Sequence, residues 1–166
     1  MTGDLYLRRK WTLRAHGHQV VFVKKPLESV EHVVMKALLW ALYLPEYPAL
    51  TVEVAVGDRY KPDVVALDGR GEPVFWGEAG DVSVQKIRSL SRRYRSTHFA
   101  IGRWEARVEP MAELVWMAIA GLDRSAPFDV ICFPADSTER FMDDDGEIHV
   151  SHADLGWRRL RRYDDG

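Results

Sequence analysis

The stretch YKPDVVALDGRGEPVFWGEAG, residues 60–80, decides the fold. It contains two apolar segments, Pro62–Asp68 and Pro73–Gly80. The residues between them, Gly69-Arg70-Gly71-Glu72, form a glycine-rich turn signal, and such a signal between two apolar runs is typical of a β-hairpin. The stretch therefore predicts two antiparallel strands joined by a tight turn.

The register of this hairpin brings two acids together. If Asp68 lies opposite Pro73 and Leu67 lies opposite Val74, Asp63 falls directly opposite Glu78 on the same face of the sheet. Directly opposed side chains have Cβ atoms about 5 Å apart. Two like charges at that distance repel each other unless a positive charge lies between them. The simplest such charge is a divalent metal ion.

The composition indicates one folded domain over residues 1–166, because 46% of the 166 residues are hydrophobic. The net charge of -2 is not that of a dedicated nucleic-acid-binding domain, although local patches matter more than the total. The single cysteine, Cys132, excludes an intrachain disulfide and indicates a reducing compartment. There is no membrane-length apolar run and no signal peptide, so we expect a cytoplasmic protein.

The remaining pattern predicts an α/β fold, with a mixed central sheet flanked by helices. The predicted elements are strands Leu5–Arg14 and Gln19–Lys24, a helix from Glu28 to about Leu44, a strand Leu50–Val56, the hairpin, a helix capped by Asp81 or Ser83 that runs to about Arg95, a strand His98–Trp104, a helix Glu109–Leu122, a strand Asp129–Phe133, and a hairpin that turns at Asp144-Asp145-Gly146. The basic tail after Trp157 is predicted to lie on the surface.

A third acid, Glu31, lies on the first predicted helix. The apolar residues that follow it at helical spacing are Met35, Leu38 and Leu42. This pattern puts Glu31 on or beside the stripe that faces the sheet, where it would share a metal site or a water network with the paired acids. The alternative is an acid at the edge of the stripe, stabilised by the helix dipole. Glu28 lines up instead with His32 and Lys36, which predicts an ordinary solvated face.

Lys86 is the candidate cation for the site. It lies in the first turns of the helix that follows Glu78, so its long side chain could reach back to the acids. The alternative is a basic, solvated helix face that Lys86 shares with the neighbouring arginines. Three of those arginines fall along one side of the helix and could track phosphates, namely Arg88, Arg92 and Arg95.

These residues, in this order, resemble the PD-(D/E)xK nuclease superfamily: an acid on a helix, Pro62-Asp63 at the start of a strand, and Glu78 on the next strand. The segments KPLESVEHVVMKALLWALYL, RYKPDVVALD and FWGEAG, the last followed by a basic helix, look like the YaeQ family. The likeness covers nearly the whole chain. It implies a restriction-endonuclease-like core with a C-terminal β-hairpin extension.

The resemblance also implies a metal site. Asp63 and Glu78 would bind Mg²⁺ or Mn²⁺ with the backbone carbonyl of Ala79 as a further ligand. The helical acid would be Glu31, with Glu28 as the other candidate.

One position departs from the superfamily pattern. The lysine expected two residues after Glu78 is replaced by Gly80. Lys86 is the best match for the missing cation, and Gln85 and Arg88 are near enough to keep that assignment open.

The implied activity is Mg²⁺-dependent hydrolysis of phosphodiesters, with nucleic acid as the substrate and DNA favoured over RNA. Glu31, Asp63, Glu78 and Lys86 would be the catalytic residues. Two alternatives follow from the same residues. The first is an inactive nuclease fold that acts as a binding or regulatory module, which the missing lysine at Gly80 favours. The second is a purely structural network of hydrogen-bonded acids without metal.

Overall fold

The computed structural model of the protein describes residues 9–161. Its strands are β1 Lys10–Ala15, β2 His18–Val23, β3 Thr51–Val52, β4 Val64–Leu67, β5 Pro73–Ala79, β6 His98–Trp104, β7 Phe128–Phe133 and β8 Gly156–Leu160. Its helices are α1 Val30–Tyr43, α2 Val84–Arg93, α3 Glu109–Ile119 and α4 Ser137–Phe141. The first half of the predicted strand Leu5–Arg14 lies mostly outside the described residues. Within them, no helix combines the length and the apolar character that a bilayer crossing requires.

Six strands form one mixed sheet in the order β3-β4-β5-β6-β7-β8. The three central strands β5, β6 and β7 are parallel, and the outer pairings are antiparallel. β1 and β2 form a separate two-stranded antiparallel sheet. The predicted class, a mixed α/β fold with a central sheet, is confirmed. All three parallel strands end at the same edge of the sheet, which is where ligands commonly bind in α/β folds.

Helices and the small hairpin cover the two faces of the sheet. On one face, α1 and the β1–β2 hairpin pack with sheet residues that include Val64, Phe75 and Ile131. On the other face, α2 and α3 pack with Trp76 and Phe99, among others. Alternate residues of β5 thus face opposite layers, and Glu78 shares the α2 side with Trp76.

Helix α1 is buried around most of its circumference, because the sheet covers one side and the β1–β2 hairpin covers another. Ser29 caps its amino end, with Oγ accepting the backbone N–H of His32 at 3.1 Å. All of its residues except Glu31 and His32 are buried, and Lys36 is among the buried ones. This burial decides the surroundings of the polar residues on α1.

The β4–β5 hairpin has the predicted register at the end that carries the acids. Val64 pairs with Gly77, and continuing this register by one residue places Asp63 opposite Glu78. At the turn end the register shifts, so that Leu67 pairs with Pro73 and not with Val74 as predicted. The carboxylate of Asp68 causes this difference, because it accepts the backbone N–H groups of Arg70 and Glu72 and closes the turn around itself.

One predicted strand is too long, and one strand was not predicted. The predicted strand Leu50–Val56 is reduced to Thr51–Val52, because Glu53 has a φ of 57° and turns the chain away from the sheet. The tail after Trp157, predicted to lie on the surface, belongs to the edge strand β8, which begins at Gly156 and pairs antiparallel with β7.

The predicted C-terminal hairpin is also smaller than expected. It consists of a turn at residues 143–146 and a single bridge between Met142 and Ile148. Asp143 accepts the N–H groups of Asp145 and Glu147 and holds this turn.

Candidate functional site

The two acids of the hairpin meet at the carboxyl edge of the parallel strands. Glu78 lies near the end of β5, and Asp63 directly precedes β4. Asp63 is tied to the end of β5 twice, since its N–H donates to Gly77 at 3.1 Å and its Oδ2 accepts the N–H of Ala79 at 2.8 Å. The structure therefore places Asp63 beside Glu78 as the hairpin register predicts, and the backbone of Ala79 is bonded to the same Asp63 carboxylate.

Glu78 is held in a mostly apolar environment and is only 7% exposed. Its Oε1 accepts the indole N–H of Trp76 at 2.9 Å and lies 3.1 Å from Nζ of Lys86. Burial raises the pKa of Glu78 and the charge of Asp63 raises it further, against the lowering effect of Trp76 and Lys86. The raised pKa of Glu78 therefore reflects its burial first and its closeness to a second acid next.

Lys86 contacts Glu78 as expected from its place at the start of a helix. Ser83 caps α2 by accepting the N–H of Lys86 at 3.1 Å, and this fixes the first turn above the end of β5. The alternatives point elsewhere. Gln85 is exposed, and the guanidinium of Arg88 donates to the carbonyls of Ala118 and Ala120 at the end of α3. The catalytic role of Lys86 stays a prediction.

Gly80, which stands where the superfamily pattern has a lysine, has a φ of 97°. This left-handed conformation favours glycine and would strain a lysine. Its N–H donates to the carbonyl of Gly102 at 2.8 Å, so the chain turns tightly against β6 at this point. The backbone geometry thus explains why a cation reaches Glu78 from α2 and not from residue 80.

Glu31 is exposed in the first turn of α1, so of its two interpretations the structure favours the acid at the edge of the apolar stripe over the acid that shares the site. Its side chain is exposed, because it occupies the side of α1 that neither the sheet nor the β1–β2 hairpin covers. Glu28, the other candidate for the helical acid, is closer to the pair. Its Oε2 lies 2.9 Å from Nδ1 of His32, and Nε2 of the same ring lies 3.8 Å from Oδ2 of Asp63. His32 therefore links Glu28 to the site.

The predicted solvated face of Glu28, His32 and Lys36 is in fact an ion-pair cluster. Lys36 is only 2% exposed and donates to the carboxylates of both Glu28 and Glu53. Burial would lower the pKa of Lys36, but its bonds to these two acids outweigh the burial and raise it. Glu53 reaches the cluster because of its left-handed turn after β3. Alternating hydrophobicity gives no signal for this arrangement.

The whole cluster carries an excess of negative charge. Four carboxylates (Glu28, Glu53, Asp63 and Glu78) are matched by two lysines (Lys36 and Lys86) and by His32. In residues 9–161 one oxygen of each central acid, Oδ1 of Asp63 and Oε2 of Glu78, accepts no hydrogen bond. Such oxygens suit a hard divalent cation.

The oxygen atoms of Asp63, Glu78 and Ala79 are of the kind that magnesium and manganese ions bind. Among the described side chains, no three of His, Cys, Asp and Glu come together as a ligand group. An ion here would take the two carboxylates, the carbonyl of Ala79 and otherwise water. Mg²⁺ accepts this composition, because it commonly binds through one or two carboxylates and keeps several waters.

A second polar cluster, which the sequence did not reveal, lies at the amino ends of β6 and β7. Asp129 is completely buried and accepts hydrogen bonds from Tyr43 at 2.6 Å, from His98 at 2.8 Å and from the guanidinium of Arg159 at 2.9 Å. Burial would raise the pKa of Asp129, but these bonds outweigh it and lower the pKa. The cluster is fully bonded and ties β8 and α1 to the sheet.

The fold is similar to the folds of two solved protein structures. The structure is similar to that of the YaeQ protein from Pseudomonas syringae, with a TM-score of 0.55, 18% identity, and coverage of 81% of this chain and 75% of that chain. It is also similar to the YaeQ protein from Xanthomonas axonopodis pv. citri, with a TM-score of 0.51, 20% identity, and coverage of 80% and 76%. No protein-family model matches the chain. No curated protein matches it in sequence at a significant level. At these identities the likeness shows a shared fold.

Proposed function

We propose that the chain is a YaeQ-like protein with a PD-(D/E)xK core and that it hydrolyses phosphodiester bonds in nucleic acid with the aid of a divalent metal. The observation that carries this proposal is the joining of Asp63, Glu78 and Lys86 at one point on the carboxyl edge of the parallel strands. Two adjacent carboxylates, one of them buried with a raised pKa, destabilise the fold unless a cation binds between them. The likeness in fold to YaeQ proteins is consistent with the family assignment.

In this proposal the metal-binding residues and the residue that stabilises the reacting phosphate are different. Asp63 and Glu78 would hold Mg²⁺ or Mn²⁺ through carboxylate oxygens, and Ala79 would offer its carbonyl. Such an ion would polarise the phosphoryl oxygen and lower the pKa of a water molecule. Lys86 would stabilise the negative charge on the phosphoryl oxygens while the water oxygen bonds to phosphorus and the P–O ester bond breaks, with the proton of the water passing through solvent to the leaving oxygen.

The helical acid is reassigned in this proposal. The exposed Glu31 is replaced by Glu28, which directly precedes the N-cap of α1 and acts through His32 on the Asp63 side of the site. Glu28 keeps His32 oriented, and the buried Lys36 keeps Glu28 in place. We expect DNA to be the preferred substrate, on the strength of the superfamily resemblance alone.

A second candidate function is a binding or regulatory module on the same fold. Glu78 already has a cationic partner in Lys86, and this observation favours an acid pair that is retained without catalysis. The two candidates differ in a measurable way, because a module of this kind would bind nucleic acid or a protein partner without cutting a phosphodiester.

The proposal is tested by incubating the protein with single- and double-stranded DNA and RNA in Mg²⁺ or Mn²⁺, with Asp63→Ala as the control. Metal-dependent cleavage that the variant loses supports the nuclease and identifies its substrate. Absence of cleavage by the folded wild-type protein over the whole panel would favour the binding module.

A further inference from the structure

The loop that joins β3 to β4 passes directly beside the acid pair and is firmly anchored. Its anchor is Asp58, whose side chain is 3% exposed. The carboxylate of Asp58 accepts the backbone N–H of Tyr60 at 2.9 Å and the hydroxyl of Tyr94 at 2.8 Å, and it forms an ion pair with Arg93. Residues 58–60 are thus fastened to the last turn of α2, and the next residues are presented in a defined position.

The anchored loop presents two exposed cations, Arg59 and Lys61. In the part of the chain that the structure describes, neither forms an ion pair with a carboxylate. The guanidinium of Arg59 donates only to the hydroxyl of Tyr60, at 3.0 Å. Several other surface arginines have a carboxylate partner, as Arg95 has Asp123 and Arg103 has Asp81. The charges of the loop are therefore available to a ligand.

The aromatic ring of Tyr60 joins these cations to the acid pair. Nζ of Lys86 lies 4.9 Å from the centre of this ring, and the guanidinium carbon of Arg59 lies 4.7 Å from it. Lys86 in turn lies 3.1 Å from Glu78, and Asp63 follows Lys61 after one residue. Arg59 and Lys86 thus lie against the same ring beside Glu78, and Lys61 follows this ring in the chain, two residues before Asp63.

Two of the three arginines that were predicted to contact phosphates are bonded within the protein. The sequence predicted that Arg88, Arg92 and Arg95 track phosphates along the helix. Arg88 instead donates to the carbonyls at the end of α3, and Arg95 donates to the carbonyl of Asp123 and pairs with its carboxylate. These two guanidinium groups are therefore committed within the protein. Arg92 stays exposed on α2, and the 58–61 loop holds the group of cations that leads directly to Asp63.

We infer that Arg59 and Lys61 form a subsite for the backbone phosphates of a nucleic acid strand, adjacent to the phosphodiester that the acid pair would cut. The inference rests on the proposed function, and it names the surface that holds the substrate. Exposed cations on a rigid loop suit phosphate oxygens, and contacts to phosphate carry no sequence information. The subsite therefore binds strands of any sequence, and its affinity falls steeply with salt.

The test is fluorescence anisotropy with labelled single- and double-stranded DNA, recorded in EDTA so that no cleavage occurs. The double variant Arg59→Ala/Lys61→Ala is compared with Arg70→Ala, which removes an exposed cation at the opposite end of the same hairpin. We expect the double variant to weaken binding about tenfold for every sequence and to lower the salt slope by about 1 for each lost contact. Arg70→Ala is expected to bind as the wild type does.

Three results would overturn the inference: no binding by the wild type, unchanged binding by the double variant, or an equal loss in Arg70→Ala. Cleavage in Mg²⁺ is measured separately on the same proteins. Cleavage by the wild type with unchanged binding by the double variant overturns the subsite alone. Weakened binding by the double variant without wild-type cleavage overturns the nuclease activity and supports the subsite.

Discussion

Nζ of Lys86 lies 3.1 Å from Oε1 of Glu78, and this contact joins the start of α2 to the end of β5. The connection between the two elements turns at Gly80, whose left-handed backbone suits glycine. Lys86 at the start of α2 thus supplies the positive charge beside Glu78, where residue 80 at the end of the strand supplies none.

Removing this cation tests its role. We expect Lys86→Met to lower metal-dependent cleavage about 100-fold, because the positive charge beside the developing phosphoryl charge is lost. The pKa of Glu78 should rise further, since Lys86 is one of the groups that lower it. Gln85→Ala, an exposed neighbour on the same helix, is the control. Equal cleavage rates in Lys86→Met and wild type would remove Lys86 from the mechanism.

The buried ion-pair cluster on α1 gives a prediction of stability. Lys36→Ala leaves Glu28 and Glu53 facing each other without a cation, so we expect the free energy of unfolding in urea to fall by about 3–5 kcal/mol. The exposed Lys61→Ala should change it by less than about 0.5 kcal/mol. The triple variant Lys36→Met/Glu28→Gln/Glu53→Gln removes all three charges and should recover much of the loss. A Lys36→Ala protein as stable as the wild type would contradict this account of the cluster.

Much of the candidate site could be predicted from the sequence, because it depends on the spacing of residues that are close together in the chain. The position of Asp63 opposite Glu78 follows from one turn and two strands, and the reach of Lys86 follows from a capped helix directly after a strand. The burial of Lys36 could not be predicted, since it depends on the distant β1–β2 hairpin, which covers a second side of α1. β8 was missed because it is an edge strand rich in arginine, and Arg159 is drawn in by the buried Asp129.

Asp58 should make the stability depend on pH in the acid range. Burial would raise the pKa of Asp58, but its bonds with Arg93, Tyr60 and Tyr94 lower it from 3.8 to about 2. A carboxyl whose pKa is lower in the folded state stabilises the fold above the unfolded pKa, and this contribution is lost as the pH falls. The gap in unfolding free energy between wild type and Asp58→Asn should therefore shrink as the pH falls from about 4 to about 2. Urea unfolding at a series of pH values measures it, and a gap that does not change with pH would refute this role of Asp58.

Asp129 should be essential for stability, because two buried groups and the half-buried Arg159 depend on it. Asp129→Ala leaves His98, Tyr43 and Arg159 without their shared acceptor, and we expect a loss of about 3–5 kcal/mol in the free energy of unfolding. Glu139→Ala, an exposed acid on α4, is the matched control and should be nearly neutral. If the two variants unfold at the same urea concentration, the cluster does not tie β8 and α1 to the sheet as we describe.

The most direct measurement is calorimetric titration of Mg²⁺ and Mn²⁺ into the wild type and into Asp63→Asn. Our account predicts that the wild type binds divalent metal at the acid pair, that its thermal unfolding temperature rises with metal concentration, and that both effects disappear in the variant. A wild type that binds neither ion, or a variant that binds them equally well, would contradict the account and leave the two acids as a structural pair.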